Sequence, residues 1–184
     1  MKRRFVIFNL LLVVAIAAVA VSAQDAKATA STTQDFASSL DKTKHKVKEK
    51  NGIKTETYVS IKNDAVVKAD PSEYSGLYID GSNMNRLEIS VTRDGRVEGS
   101  GLDGEMEMRP VAYTLRDARV EGAVLNGTKL YADGRVETFK ALFANQTVVT
   151  GRNPQDVDSR QSSFGIGFTK AINDSTSRVF LTRK

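Results

Sequence analysis

The 184-residue sequence contains no cysteine and no tryptophan, and His45 is its only histidine. Without cysteine the chain has no disulfide, no thiol nucleophile and no thiolate ligand for a zinc site of the usual kind. His45 lies among lysines beside a polar segment, which favours a solvated side chain over a catalytic base. The missing tryptophan removes a residue often found where a sugar ring stacks. We therefore predict that the protein is not an enzyme and that it holds no metal and no cofactor.

Long apolar runs are also lacking, except at the N-terminus. Lys2, Arg3 and Arg4 precede an apolar run of 17 residues from Phe5 to Val21, and Val21-Ser22-Ala23 at its end is a small-x-small cleavage pattern. This order predicts a signal peptide over residues 1–23 and a mature chain that begins at Gln24. A retained anchor is the alternative, although the run is near the short limit for a membrane span. We expect an exported protein of the bacterial periplasm or exterior, because eukaryotic secreted proteins more often contain disulfides. No membrane span is expected after cleavage.

Net charge is small once the signal peptide is removed. The whole chain has a formal charge of +5, and three of its basic residues and none of its acids lie in residues 1–23, which leaves +2. The one basic block, KTKHKVKEK over residues 42–50, is interpreted as a solvated strand or helix face. The sequence therefore predicts no nucleic-acid partner.

Residues 24–43 are small and polar, with little to bury, and are predicted to be a disordered leader. One alternative rests on Phe36, Leu40 and Val47, which fall at helical spacing after the possible N-caps Thr32 and Thr33. That spacing would make a short amphipathic helix.

Residues 44–184 read as one domain of short alternating segments and turns, with no long helix. Asn51-Gly52 separates two alternating runs, as in a type I′ hairpin. RDGRVEG at 93–99 is partly repeated as ADGRVET at 132–138, and RVEG recurs at 119–122. Asp-Gly suits a turn, Val packs inward and the flanking charges face water, so we interpret each copy as the turn and following strand of a β-hairpin. In the third copy the turn is less well defined.

About ten strands joined by short turns predict an all-β fold: a single antiparallel meander, closed into a small up-and-down barrel, with a β-sandwich as the alternative. The region from Tyr74 to Phe143 resembles the lipocalin-like β-barrel domains that accompany serine β-lactamase-type peptidases. It shares a Y-x-G-x-Y opening at residues 74–78 and a D-G turn at Asp94-Gly95. The peptidase domain of that family has no counterpart here, so the resemblance implies the fold and no activity.

Four acidic residues in predicted loops are candidate calcium ligands: Asp103, Asp156, Asp158 and Asp174. The full D-x-D-x-D-G pattern is lacking, and we predict no metal site.

The remaining function class is binding. A barrel of this size either fills its interior with side chains or encloses one small ligand. A packed core is the favoured interpretation of the large apolar side chains, and a ligand cavity is the alternative. The candidate cavity-lining residues are Met106, Met108, Tyr113, Phe139, Phe143, Phe164 and Phe168. We predict an exported, non-catalytic, β-barrel-like binding protein whose ligand the sequence does not identify; a small apolar ligand and an envelope protein are the candidate partners. The alternatives are an envelope-associated protein-interaction or structural module and, with less support, a carboxylate-based hydrolase.

Overall fold

The computed structural model describes residues 32–82, 84–105, 108–172 and 175–184. The predicted signal peptide and the predicted cleavage site after Ala23 lie outside these residues. In the described part of the chain, no helix is both long enough and apolar enough to cross a membrane.

Ten strands make up most of the fold. They are β1 (Lys42–Lys50), β2 (Ile53–Ala65), β3 (Gly76–Ile79), β4 (Arg86–Val91), β5 (Arg96–Glu105), β6 (Met108–Glu121), β7 (Val124–Tyr131), β8 (Val136–Gly151), β9 (Val157–Ile172) and β10 (Ser175–Arg183). From β3 to β10 each strand pairs antiparallel with the next, and β10 returns to pair with β3. The result is a closed, eight-stranded antiparallel barrel. The prediction of an all-β up-and-down barrel is confirmed, and the β-sandwich alternative is not.

The β1–β2 hairpin stands outside the barrel proper. Its turn residues, Asn51 and Gly52, have φ values of 55° and 73°, as a type I′ turn requires. β2 then pairs with residues 144–151 of β8, the half of that strand that lies beyond its ladder with β7. Together β1, β2, residues 144–151 of β8 and residues 157–165 of β9 form a four-stranded sheet, here called the extension sheet.

The first two copies of the repeated motif are turns, as predicted. Gly95 and Gly134 have φ values of 82° and 88°, and each donates its N–H to the carbonyl three residues earlier. Glycine is favoured here because an L-residue with a side chain rarely adopts this left-handed region.

The third copy differs from the prediction, because its first three residues, 119–121, lie inside β6 and no turn precedes them. Asp117, with φ 52°, sits at a bulge in that strand, and the chain turns only at Gly122. The inward packing of Val also holds for only two copies: Val97 and Val120 are buried, whereas Val136 is 66% exposed. In that copy the register with β7 places Val136 on the outer face.

The predicted disordered leader is wrong for its described part, because residues 32–40 form a helix, α1. Ala37 and Leu40 are buried on the outside of the barrel wall. They cover an apolar patch formed by Ala123, Val124, Leu142 and Ala144. The amphipathic-helix alternative describes this segment better, although Val47 belongs to β1. Phe36, Ala37 and Leu40 are enough to hold this short helix, because the barrel wall supplies the rest of the buried surface.

One end of the barrel interior is apolar and aromatic. The rings of Tyr74 and Phe143 stack with their centroids 4.0 Å apart, and Tyr78, Ile166 and Leu181 are fully buried beside them. Tyr74 comes from a short 3-10 helix, Pro71–Tyr74. Burial raises the pKa of Tyr78 to about 12, so its phenol stays neutral. We call this the apolar end of the barrel.

Candidate functional site

Strand alternation brings three charged side chains into the opposite end of the barrel, here called the polar end. Side chains of a strand alternate between the two faces, so residues two apart share a face. On β5 the inward position after Gly101 is Asp103, and on β7 the one after Gly127 is Lys129. On β9 the residue two beyond the buried Phe168 is Lys170. Each charged residue therefore lies two positions beyond an inward-facing residue of its own strand, and its side chain also points inward.

The three side chains meet in one ionic cluster, the buried triad. Lys129 Nζ donates to Asp103 Oδ2 at 2.9 Å, and Lys170 Nζ donates to Asp103 Oδ1 at 2.7 Å. The side chains of Asp103, Lys129 and Lys170 are 4%, 5% and 14% exposed. Two ammonium groups thus share one carboxylate, and the triad carries a net charge of +1 inside the barrel. Lys170 is the member that reaches solvent most.

The lysines keep Asp103 ionised. Burial by itself raises the pKa of Asp103, but the charge of Lys129 and the hydrogen bonds from Lys170, Lys129 and Tyr131 outweigh it and lower the pKa to about 2. The carboxylate is therefore a fixed anion at any pH near neutrality.

Tyr131 links the triad to the surface. Its hydroxyl lies 2.7 Å from Asp103 Oδ2 and 2.9 Å from Glu137 Oε2, and Glu137 is an exposed residue of β8. Burial raises the pKa of the Tyr131 phenol, and its hydrogen bond to Asp103 and the two nearby carboxylates raise it further. The phenol therefore stays protonated and acts as a hydrogen-bond donor.

Three aromatic rings surround the Lys129 ammonium group. Lys129 Nζ lies 4.7 Å from the ring centre of Tyr113, 5.0 Å from that of Phe168 and 5.6 Å from that of Phe139. These distances fall within the range of cation–π attraction. The rings also exclude water from the cation, which strengthens its bond to Asp103.

The predicted cavity-lining residues divide between the two ends of the barrel. Tyr113, Phe139 and Phe168 surround Lys129 at the polar end, whereas Phe143 and Phe164 are 6.4 Å apart and parallel at the apolar end. Met106 and the side chain of Met108 lie outside the described part of the chain. The structure thus brings five of the seven residues into or against one core, in two separate groups.

The sequence reasoning missed the triad itself. It placed Asp103 in a loop as a possible calcium ligand, whereas Asp103 lies in β5 and its oxygens accept hydrogen bonds from two lysines. Within the described residues no group of three acidic or histidine side chains is placed to hold a metal ion. Lys129 and Lys170 were not singled out, because a lysine in a strand is usually solvated. Counting inward positions by twos from Leu125 and Ile166 would have placed both lysines inside.

The pairing of β8 with β9 ends beside the triad. The β8–β9 ladder runs from Ala141–Phe168 to Gly151–Val157. Residues 136–140 of β8 and 169–172 of β9 lie beyond its end, and this part includes Phe139 and Lys170. The partly buried ring of Phe139 lies on the β8 side of this end, and Lys170 lies on the β9 side. We call this end of the ladder, where the two strands are not paired, the β8–β9 opening.

Taken together, the fold and the site define a closed antiparallel barrel with a cationic cluster at one end. The chain matches no protein-family model, no curated protein and no solved structure at a significant level. The resemblance to lipocalin-like domains therefore stays a prediction, and the function has to be argued from the site.

Proposed function

We propose that the protein is an exported, non-catalytic binding barrel whose ligand is a small amphiphile with an anionic head group. The observation that carries this proposal is the net charge of +1 in the buried triad, beside the β8–β9 opening. Among the described residues, Asp103 is the one carboxylate that forms a salt bridge with the two lysines of the triad, and a ligand carboxylate or phosphate would supply a second. The sequence left the ligand unidentified, and this proposal adds an anionic head group to the small apolar candidate.

The cost of the triad supports a binding role. Moving charges out of water costs several kcal/mol per ion, and apolar replacements of such clusters are often neutral or stabilising. A barrel that needed only a core would gain nothing from placing Asp103, Lys129 and Lys170 inside it. Lys170 is the group that would meet the ligand head, because it is the most exposed of the three side chains and lies beyond the end of the β8–β9 ladder.

The apolar part of the ligand would lie against Phe139. This ring is only partly buried and packs against the core from the β8 side of the opening. Phe168, on the facing strand, is buried just inside. A short hydrocarbon chain could cover the exposed part of Phe139 while its head group reaches Lys170, so binding would remove apolar surface from water.

The protonation states favour binding over catalysis. A general acid or base works best with a pKa near the working pH. The pKa of Asp103 is lowered to about 2, and that of the Tyr131 phenol is raised above its ordinary value. Both groups are therefore fixed in one state near neutral pH, which suits electrostatic recognition and does not suit proton transfer.

Calorimetric titration with decanoate, and with decanol as the uncharged match, tests the proposal on the chain from Gln24 onward. We expect decanoate to bind more tightly than decanol, and Lys170→Met to weaken decanoate binding by roughly tenfold or more, the effect of losing one charged hydrogen bond. Lys54→Met is the matched control, because Lys54 is an exposed lysine paired with Glu56. Equal affinities for decanoate and decanol, or equal effects of the two substitutions, would contradict the proposal.

A triple variant separates binding from folding. In Asp103→Leu/Lys129→Met/Lys170→Met the whole ionic cluster is replaced by apolar side chains of similar size. We expect the variant to remain folded, because no unpaired charge is left inside. It should lose the preference for decanoate over decanol. If the preference survives in the folded triple variant, the triad is not the binding site.

A second candidate is the envelope-associated protein-interaction module, and one observation favours it. β1 is the edge strand of the extension sheet and all nine of its residues are exposed. A partner strand could add to this edge through backbone hydrogen bonds. Such a partner would slow hydrogen exchange of the β1 amides, whereas decanoate would leave β1 unchanged.

A further inference from the structure

The lysines of β1 form a single row, here called the lysine row. Lys42, Lys44, Lys46, Lys48 and Lys50 occupy alternate positions of a nine-residue strand. They therefore share one face of the extension sheet, with neighbours about 6.8 Å apart, twice the rise per residue of an antiparallel strand. The sequence pattern alone did not distinguish a strand from a helix, and in a helix these five side chains would be spread around the axis.

This face of the hairpin carries no compensating acid. In the β1–β2 register, even-numbered residues of β1 share a face with odd-numbered residues of β2. The acids of the hairpin lie on the opposite face, since Glu49 is at an odd position of β1 and Glu56 and Asp64 are at even positions of β2. Glu56, for example, pairs there with Lys54 at 2.6 Å and with His45 at 3.4 Å. Among the described residues, no carboxylate forms a salt bridge with any member of the lysine row.

The like charges of the lysine row affect the pKa of one of its members. A side-chain hydrogen bond with Lys44 and the repulsion between the two ammonium groups lower the pKa of Lys46. An anion that bridged the two lysines would relieve this repulsion.

Uncharged and apolar residues of β2 lie beside the row on the same face. The cross-strand partners of the five lysines are Lys42–Ile61, Lys44–Val59, Lys46–Thr57, Lys48–Thr55 and Lys50–Ile53. Ile53, at the tip of the hairpin, is 70% exposed. The next strand, β8, continues the face with residues that carry no charge, namely Ala144, Gln146, Val148 and Thr150.

We infer that the lysine row and Ile53 form a docking surface for a membrane that contains anionic phospholipid. A row of ammonium groups attracts lipid phosphates, and lysines near such a surface each add to the affinity. The exposed Ile53 at the tip would enter the headgroup region, as apolar residues of peripheral membrane proteins do. This surface is separate from the β8–β9 opening, so the inference goes beyond the proposed ligand and does not depend on it.

The composition of the face favours lipid over nucleic acid. Single-stranded nucleic acid is bound through aromatic side chains on which bases stack, and arginine is prominent in contacts with both bases and phosphates. His45 and Tyr58, the only ring side chains of the hairpin, are cross-strand partners and so share a face. His45 occupies an odd-numbered position of β1, so this face is opposite the lysine row. The lysine face contributes neither arginine nor a ring from β1 or β2.

Vesicle co-sedimentation of the chain from Gln24 onward tests the inference. The probes are vesicles of phosphatidylcholine alone and vesicles with about one quarter phosphatidylglycerol, at roughly 50 mM and roughly 500 mM salt. We expect binding to the anionic vesicles at low salt, at least a tenfold loss at high salt, and no binding to phosphatidylcholine alone.

Matched variants distinguish the row from net charge. Lys44→Gln/Lys46→Gln/Lys48→Gln should reduce binding by roughly tenfold or more, since three lysine contacts are lost. Arg93→Gln/Arg116→Gln/Arg152→Gln removes the same charge from exposed sites elsewhere and should keep affinity within about twofold. Ile53→Ser should weaken binding at both salt concentrations, because its contribution is apolar.

Three outcomes would overturn the inference. One is equal loss in the two triple variants, which would reduce the effect to net charge. Another is competition by a short oligonucleotide with higher affinity than the vesicles, which would make nucleic acid the partner. The third is no vesicle binding together with aggregation of the Lys44/Lys46/Lys48 variant, which would show that the lysines only protect the β1 edge from pairing with other chains.

Discussion

The ring of Tyr113 lies over Gly101, its cross-strand partner in the β5–β6 ladder, and a Cβ at position 101 would overlap the Tyr113 hydroxyl. The hydroxyl donates to the carbonyl of Arg86 at 3.2 Å. Tyr113 is thereby held in the place where its ring faces the Lys129 ammonium group. The absence of a side chain at Gly101 of β5 thus leaves room for the ring of Tyr113 on β6, and this ring forms one wall of the site.

Gly101→Ala should therefore destabilise the barrel. The added methyl would overlap both Tyr113 and the backbone of Arg86, and overpacking of this kind costs about 1–3 kcal/mol. Urea denaturation measures the difference. Gly81→Ala is the control, since a Cβ there meets open space, and it should change stability by less than about 0.5 kcal/mol. Equal stability of the two variants would mean that Tyr113 moves freely.

The two Asp-Gly turns should differ in their tolerance of a side chain. Gly95 and Gly134 both have a left-handed φ, so alanine at either position should cost about 1 kcal/mol. At Gly95 a Cβ would also lie 2.6 Å from the carbonyl oxygen of Val120, whereas at Gly134 it meets nothing. Thermal unfolding should thus show a larger loss for Gly95→Ala. A larger loss for Gly134→Ala would contradict the account of these turns.

Asp103 should make the protein sensitive to acid. Its pKa is about 2 in the folded protein against an ordinary value of 3.8, so folding favours the ionised form. The associated stability is present above about pH 4 and is lost as the pH falls through 4 towards 2, by on the order of 2 kcal/mol. Chemical denaturation at several pH values follows this loss.

The variant Asp103→Asn isolates that contribution. It should lack this part of the acid-dependent loss, and at neutral pH it should be less stable than the wild type by roughly 3–5 kcal/mol, because two lysines stay buried without their anion. Asp94→Asn serves as the comparison, since Asp94 is an exposed carboxylate whose pKa is lowered chiefly by Thr92. A larger change in acid sensitivity for Asp94→Asn than for Asp103→Asn would contradict the assignment.

The fold was predictable because its signals are local. Asn51-Gly52, Asp94-Gly95 and Asp133-Gly134 mark turns by backbone preference alone, and short alternating runs between them leave few arrangements other than a meander. The helix at residues 32–40 was harder to predict, since its stability comes from the barrel wall that Ala37 and Leu40 cover. That wall is assembled from strands about a hundred residues further along the chain.

The site was predictable only in its aromatic part. Phe139 and Phe168 are apolar, and the sequence placed them inside for that reason. Lys129 and Lys170 lie 26 and 67 residues from Asp103, and nothing local connects them. Their burial depends on the register of three strands, and a one-residue change in register would turn each of these side chains to the outer face.

The most direct test of the central claim is nuclear magnetic resonance of the lysine side chains during titration with decanoate. The signal of the Lys170 Nζ group, assigned with the Lys170→Met variant, should shift as decanoate is added, because the ligand carboxylate would bind beside the Asp103 bond. The signal of the exposed Lys54 should stay unchanged. Shifts confined to exposed lysines, with Lys170 unaffected at saturating decanoate, would contradict an anionic ligand at the buried triad.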